Sequence, residues 1–222
     1  MIKAIFFDVD NTLYDVKQYM AGTLGEVARY LSDRYHISSR QTQKTAMALW
    51  EQKTSAYPYL FNDLLAELKI APTPKLVHTM VKIFNDYRCP LKPYPGLITV
   101  LRQLKRQKYT LGIITDGNIQ RQAQKIKALG IQHFFDYIIY TKNFNPKPSP
   151  KPFQAAIKKL NISSYQTIYV GDNPLLDFSG AKRSGMKTVR ILKGEFKTCP
   201  HNQYIDKKIF NFRDLCKTIK KM

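Results

Sequence analysis

The sequence predicts an α/β fold, in which a parallel sheet is flanked by helices, together with a small, purely helical domain. Three observations lead to this prediction. The run Ile5-Phe6-Phe7 is an apolar strand pattern that ends at two acids, Asp8 and Asp10. Apolar residues then recur at helical spacing over residues 15–92. From residue 93 onwards, strand and helix patterns alternate, an order typical of parallel strands joined by crossover helices.

The helical segment carries its own start and stop signals. Ser38-Ser39, Pro58 and the stretch 71–74 (APTP) interrupt the helical periodicity. Four amphipathic helices are predicted between these breaks, at residues 16–35, 39–56, 59–69 and 74–88. We therefore expect a helical domain at 15–92, inserted into a sheet domain made of 1–14 and 93–222.

The remainder of the chain predicts a Rossmann-like sheet. Helix patterns lie at 97–107, 118–129, 151–160 and 175–185, and strand patterns lie at 109–115, 136–140, 167–171 and 187–192. Residues 204–222 predict a short strand and a terminal basic helix. Ligands of such sheets bind beyond the carboxyl ends of the strands, so the polar residues that directly follow strands are the candidates for a site.

The charge and the cysteine content of the chain indicate which partners and which cellular environment to expect. The formal net charge is +20, and residues 1–14 with 93–222 hold 25 Lys/Arg against 9 Asp/Glu, net +16. This charge attracts anions, nucleic acid included, but a general richness in lysine explains it more simply, because no nucleic-acid-binding module or Arg-rich stripe is present. Three scattered cysteines and no apolar run of membrane-spanning length favour a reducing, cytoplasmic environment without membrane association.

Four short motifs carry a family resemblance. They are D-V-D-N-T at 8–12, T-D-G at 115–117, K-P-S-P-K-P-F at 147–153 and G-D-N-P-L-L-D at 171–177. In this order they resemble the four motifs of the haloacid dehalogenase (HAD) superfamily, and the helical segment resembles that family's cap domain. The opening FFDVDNTLY is similar to capped phosphatases related to pyrimidine 5′-nucleotidases and phosphoglycolate phosphatases.

The resemblance implies a role for each motif residue. Asp8 is the nucleophile that attacks phosphorus. Asp10 is the general acid and base, for which we expect neighbouring acids to raise its pKa. The Thr115 hydroxyl, with backbone N–H groups around Asp116, is expected to bind the phosphoryl oxygens, and Lys147 is expected to supply positive charge to the nucleophile and the phosphate.

The same resemblance implies a magnesium site. Its ligands are Asp8, the backbone carbonyl of Asp10, and Asp172, since Mg²⁺ prefers oxygen ligands and keeps several waters. Asp177 and Asn173 are expected behind this shell, with Asp177 orienting either the waters or Lys147.

The function that we expect is a Mg²⁺-dependent phosphatase, acting through an aspartyl-phosphate on a small phosphorylated metabolite. A sugar phosphate, phosphoglycolate and a nucleoside monophosphate are the substrate classes considered. The cap is expected to close over the site, and Tyr14, Lys17 and Asn118 are candidate contacts to the leaving group.

Two alternatives stay open at this point. A phosphomutase of the same superfamily would share every motif, and a nucleic-acid-associated or regulatory binding protein would keep the site unused. A haloacid dehalogenase is disfavoured, because those enzymes usually lack the second acid of the first motif, here Asp10.

Overall fold

The computed structural model describes residues 1–53 and 57–222. The chain forms two compact units. The sheet unit consists of Met1–Asp15 and Pro90–Met222, and the helical unit consists of Val16–Cys89. The boundaries predicted from the sequence, after residue 14 and before residue 93, lie within three residues of these.

The helical unit contains the four predicted helices. They are α1 (Lys17–Tyr35), α2 (Ser39–Lys53), α3 (Leu60–Glu67) and α4 (Pro74–Asp86). The last three residues predicted for the second helix, 54–56, lie outside the described residues. Thr73 caps α4 by accepting a hydrogen bond from the Leu76 N–H at 3.3 Å, and Pro74 occupies the first helical position, where its missing N–H costs nothing.

The sheet unit is built on a parallel sheet. Its strands are β1 (Ala4–Phe7), β2 (Thr110–Thr115), β3 (Tyr137–Tyr140), β4 (Thr167–Gly171), β5 (Lys187–Ile191) and β6 (Lys207–Ile209). Their order is β3-β2-β1-β4-β5-β6, and every neighbouring pair is parallel. The predicted fold class is confirmed.

Five α-helices accompany these strands in the described part of the sheet unit. They are α5 (Leu97–Arg106), α6 (Ile119–Ala128), α7 (Lys151–Leu160), α8 (Phe178–Arg183) and α9 (Leu215–Lys220). The helix predicted at 175–185 starts three residues late, because residues 173–177 form a turn instead. In this turn the Asn173 side chain accepts from the Leu175 N–H at 2.9 Å, and the Asn173 carbonyl accepts from the Asp177 N–H at 3.0 Å.

The position of β1 fixes the site. All four of its residues are fully buried, and it lies between β2 and β4, with Phe7 in register with Ile113 and Val170. A strand of continuous apolar residues is typical of a sheet covered on both faces. The residues that follow β1 are therefore held at the carboxyl edge of the sheet by the core beneath them.

None of the described helices combines the length and the apolar character needed to cross a membrane.

Gly112 tests how tightly this core is packed. A Cβ at residue 112 would meet the ring of Phe6 on the neighbouring strand. We expect Gly112→Ala to lower the free energy of unfolding by about 1–3 kcal/mol, the usual cost of overpacking. Urea unfolding followed by circular dichroism measures this.

Gly130→Asn is the matched control. A Cβ there has no neighbour within 4 Å, and asparagine tolerates the positive φ of 68°. Equal destabilisation by both variants would contradict close packing of Gly112 against Phe6.

Candidate active site

The carboxyl edge of the sheet brings the predicted motifs together. Asp8 follows β1, Thr115 ends β2, and Asp172 follows β4. These three strands are direct neighbours, so their ends meet. Gly171, the last residue of β4, lacks a side chain where a Cβ would meet the Asp177 carboxylate, which allows that carboxylate to lie against the strand end.

Lys147 lies at the centre of the site. Its Nζ donates to Asp8 Oδ1 at 2.7 Å, to Asp177 Oδ1 at 2.7 Å and to the Tyr169 hydroxyl at 3.1 Å. Burial opposes the charge of this lysine, but Asp177 and Asp8 outweigh it and raise the pKa of Lys147 well above its usual value. The site therefore holds a fixed ammonium group against Asp8.

The buried carboxylates of the site repel each other. The pKa of Asp8 is raised from 3.8 to about 7, chiefly by burial; Asp177 and Asp10 contribute to the rise, and Lys147 offsets part of it. Burial, followed by Asp177 and Asp8, raises the pKa of Asp172 well above its usual value. A cation placed between these groups would relieve this repulsion.

The donor set fits a divalent cation. Asp8, Asp172 and Asp177 each offer a carboxylate oxygen, and these atoms lie within 4.8 Å of one another. Asp177 is already engaged, because its Oδ1 accepts from Lys147 and its Oδ2 accepts from the N–H groups of Asp172 (3.1 Å) and Asn173 (2.9 Å). Asp8 and Asp172 are the better candidates for ligands. Hard oxygen donors of this kind suit Mg²⁺.

Asp10 has a different environment from Asp8. Lys125 Nζ donates to both of its carboxylate oxygens at 2.8 Å, the Tyr14 hydroxyl donates to Oδ1 at 2.6 Å, and Gln122 Nε2 donates to Oδ2 at 3.0 Å. Burial raises the pKa of Asp10, but the Lys125 charge and these hydrogen bonds together lower it below its usual value. The expectation that neighbouring acids raise the pKa of Asp10 is wrong, because a buried lysine is its closest charged partner.

Thr115 and Asp116 are held by side chains from other elements. Gln122 Nε2 also donates to Thr115 Oγ1 at 3.0 Å and to the Asp116 carbonyl at 2.7 Å. The Asp116 carboxylate accepts from the Thr141 hydroxyl and, at 3.2 Å, from the Lys147 N–H. The Asp116 side chain thus anchors the segment that carries Lys147. Its carboxylate is occupied by these bonds, so the predicted contact to phosphate would be made by the Asp116 backbone N–H.

The candidate leaving-group contacts lie in three different settings. Tyr14 is buried in the site as a partner of Asp10. The Asn118 side chain caps α6 by accepting from the Arg121 N–H at 3.1 Å. Lys17 belongs to the helical unit, where it pairs with Glu51 at 2.7 Å and both side chains are about half exposed.

The sequence reasoning missed Gln122 and Lys125. They lie three residues apart on α6 and are both buried, although each is a polar residue on an amphipathic helix. The signal that could have found them is this pair of polar residues on the apolar side of the helix that follows T-D-G. Lys125 was hidden among the many other lysines of the chain.

Arg190 was missed as well. It lies on β5, is 1% exposed, and its Nε donates to the Asp172 carbonyl at 3.2 Å. Its two Nη groups donate to the carbonyls of Phe196, Cys199 and Pro200 at 2.6–3.1 Å. Arg190 therefore connects the loop after β5 to the loop that carries Asp172 through hydrogen bonds.

The site and its motifs place the chain in a known protein family. A strand-end aspartate paired to a buried lysine, beside carboxylates that fit a divalent cation, is suited to holding an anionic group of a substrate against a nucleophile. Residues 5–191 match the family model described as haloacid dehalogenase-like hydrolase. The chain belongs to this family, as the four motifs predict.

Relatives resemble the chain over its whole length. A protein of Methanocaldococcus jannaschii named glyceraldehyde 3-phosphate phosphatase is 32% identical over 100% of this chain and 99% of its own. The crystal structure of a HAD phosphatase from Thermococcus onnurineus is 26% identical, covers 98% of both chains and has a TM-score of 0.69. A magnesium-bound HAD hydrolase from Bacillus subtilis, 20% identical over 98% of both chains, has a TM-score of 0.74 and shares the fold. The prediction of an enzyme, a phosphoric monoester hydrolase of this superfamily, is confirmed.

The raised pKa of Asp8 predicts how stability depends on pH. Between about pH 4 and 7 the folded protein keeps a proton on Asp8 that the unfolded chain has lost, so the metal-free protein becomes less stable as pH rises through this window. Mg²⁺ binds deprotonated carboxylates, so we expect it to raise Tm more at about pH 8 than at about pH 5. Calorimetry with and without Mg²⁺ measures both effects.

Asp8→Asn is the control for this pH dependence, because it removes the titrating carboxyl. We expect a shallower fall in its stability over the same pH range. A magnesium-induced rise in Tm that is equal at both pH values would contradict the placement of the cation at these carboxylates.

Proposed function

We propose that this chain is a Mg²⁺-dependent phosphatase that hydrolyses a small phosphorylated metabolite through an aspartyl-phosphate at Asp8. The observation that supports the proposal most strongly is the Lys147 ammonium, held between Asp8 and Asp177 at 2.7 Å from each, with the Asp172 carboxylate alongside. This geometry orients the Asp8 carboxylate and lowers the repulsion that an incoming phosphate would meet.

In the first step, a carboxylate oxygen of Asp8 forms a bond to phosphorus while the bond from phosphorus to the leaving oxygen breaks. The leaving oxygen receives a proton from Asp10. The hydrogen-bond donors around Asp10 favour its carboxylate form, so Asp10 has to take up a proton from solvent before this step. The Thr115 hydroxyl and Lys147 bind the phosphoryl oxygens.

In the second step, water attacks phosphorus and the bond between phosphorus and Asp8 breaks, which releases inorganic phosphate. Asp10 accepts the proton of the attacking water. Mg²⁺, held by Asp8, Asp172 and the Asp10 carbonyl, would offset the negative charge of the nucleophile and the phosphoryl group. Asp177 and Asn173 keep the Asp172 loop in place through the turn described above.

A sugar phosphate is the substrate class that we favour. The relative from Methanocaldococcus jannaschii carries the name of a phosphatase of a three-carbon sugar phosphate and aligns along its whole length. Phosphoglycolate and nucleoside monophosphates, the other two classes, serve as comparison substrates in the test below.

Asp8→Asn should abolish phosphate release. Asparagine keeps the size of the side chain but cannot attack phosphorus as a carboxylate, so we expect kcat to fall by at least about 10³-fold. Phosphate release is measured with Mg²⁺ across glyceraldehyde 3-phosphate, other sugar phosphates, phosphoglycolate and nucleoside monophosphates.

Asp33→Asn, at an exposed acid of the helical unit, is the matched control and should leave turnover unchanged. Full turnover by Asp8→Asn would contradict the proposal. Interconversion of sugar phosphate isomers without phosphate release would identify a mutase. Absence of any turnover in the wild type, together with salt-sensitive binding to short DNA, would identify the binding protein considered above.

A further inference from the structure

The Asp10 carboxylate is the acceptor in each of its described hydrogen bonds. Among the described residues, four bonds from three side chains reach its two oxygens: two from Lys125, one from Gln122 and one from Tyr14. An ammonium group and an amide nitrogen can only donate, whereas the Tyr14 hydroxyl can also accept, so among these partners a protonated carboxyl would find an acceptor only at Tyr14. The surroundings of Asp10 are therefore complementary to the ionised carboxylate.

Gln122 links this carboxylate to the end of β2. Its Nε2 lies 3.0 Å from Asp10 Oδ2, 3.0 Å from Thr115 Oγ1 and 2.7 Å from the Asp116 carbonyl. Its Oε1 is buried and has no hydrogen-bond partner among the described residues. All three contacts of the amide are therefore made by its nitrogen, while its buried oxygen stays unsatisfied. Leaving a buried acceptor unsatisfied costs free energy, and packing alone does not call for this arrangement.

Burying the ammonium group of Lys125 costs desolvation free energy. Its side chain is 5% exposed, whereas that of Asp10 is 30% exposed. Replacing a buried ion pair by apolar residues is often neutral or stabilising, so stability alone does not explain a buried lysine here. The pair does, however, hold the more accessible Asp10 carboxylate in one orientation.

We propose that Lys125 and Gln122, together with Tyr14, are positioning residues that hold the Asp10 carboxylate as the base for hydrolysis of the aspartyl-phosphate. The proposal rests on the proposed function and assigns these residues to its second step. In that step a water O–H bond breaks and its proton goes to Asp10. The hydroxyl oxygen bonds to phosphorus, and the bond from phosphorus to Asp8 breaks to leave Asp8 as a carboxylate and hydrogen phosphate as product.

The two steps can be separated with p-nitrophenyl phosphate. Nitrophenolate is a good leaving group that departs without a proton, so the first step does not need Asp10 with this substrate. The ratio kcat/KM reports on events up to formation of the aspartyl-phosphate, whereas kcat also includes its hydrolysis. A residue that positions the base for the second step should therefore affect kcat and leave kcat/KM unchanged.

Lys125→Met is the main test. With p-nitrophenyl phosphate and Mg²⁺, we expect kcat to fall by about 10²-fold or more and kcat/KM to stay within about threefold of the wild-type value. Stopped flow should show a burst of nitrophenolate, and acid quench should show accumulated phosphoenzyme. Lys125→Arg keeps donors at this position and should recover part of kcat.

Lys127→Met, at an exposed lysine of the same helix, is the matched control and should change neither parameter. Gln122→Leu should act in the same direction as Lys125→Met and provides the same test if Lys125→Met does not fold.

Equal loss of kcat and kcat/KM without a burst would overturn the positioning role and leave the proposed function standing. Absence of any phosphoenzyme or turnover in the wild type would overturn the proposed function itself, and the positioning role with it.

Discussion

The ammonium of Lys147 is the interaction on which the site depends. It contacts Asp8 and Asp177 at 2.7 Å, in a region where all three side chains are at most 10% exposed. Ionised carboxylates that are buried together carry a large desolvation cost and repel each other, so a cation between them stabilises their charged forms. The rest of the edge maintains this contact: Asp116 anchors the Lys147 segment, and Asp177 binds the N–H groups of the Asp172 loop.

The two acids of the first motif differ because their surroundings differ. Asp8 lies among other carboxylates, and its pKa is raised to about 7, chiefly by burial, so a cation beside it would stabilise its charged form. Asp10, two residues later, accepts hydrogen bonds from Lys125, Gln122 and Tyr14, and its pKa is lowered. Pairs of acids whose environments drive their pKa values apart are typical of sites that divide chemical roles between them.

Much of the fold could be predicted from local patterns. Period-2 and period-3.6 spacing located the strands and helices, and the motif acids Asp8, Asp116 and Asp172 directly follow strands that prove to be neighbours. Contacts between distant residues could not be predicted in this way. Lys125 and Gln122 lie 115 and 112 residues from Asp10 in sequence, and Arg190 reads as one more cation in a strongly basic chain. The error over the pKa of Asp10 has the same origin, because the motifs show the acids but not the lysine that faces them.

Locating the phosphoryl group during turnover tests the role of Asp8 most directly. The wild-type protein is mixed with p-nitrophenyl phosphate and Mg²⁺, quenched in acid and reduced with borohydride, which converts an acyl phosphate to an alcohol. Peptides are then mapped by mass spectrometry. We expect reduction at Asp8 and at no other carboxylate of the site. Reduction at Asp10, Asp172 or Asp177, or turnover without any reducible acyl phosphate, would contradict nucleophilic attack by Asp8.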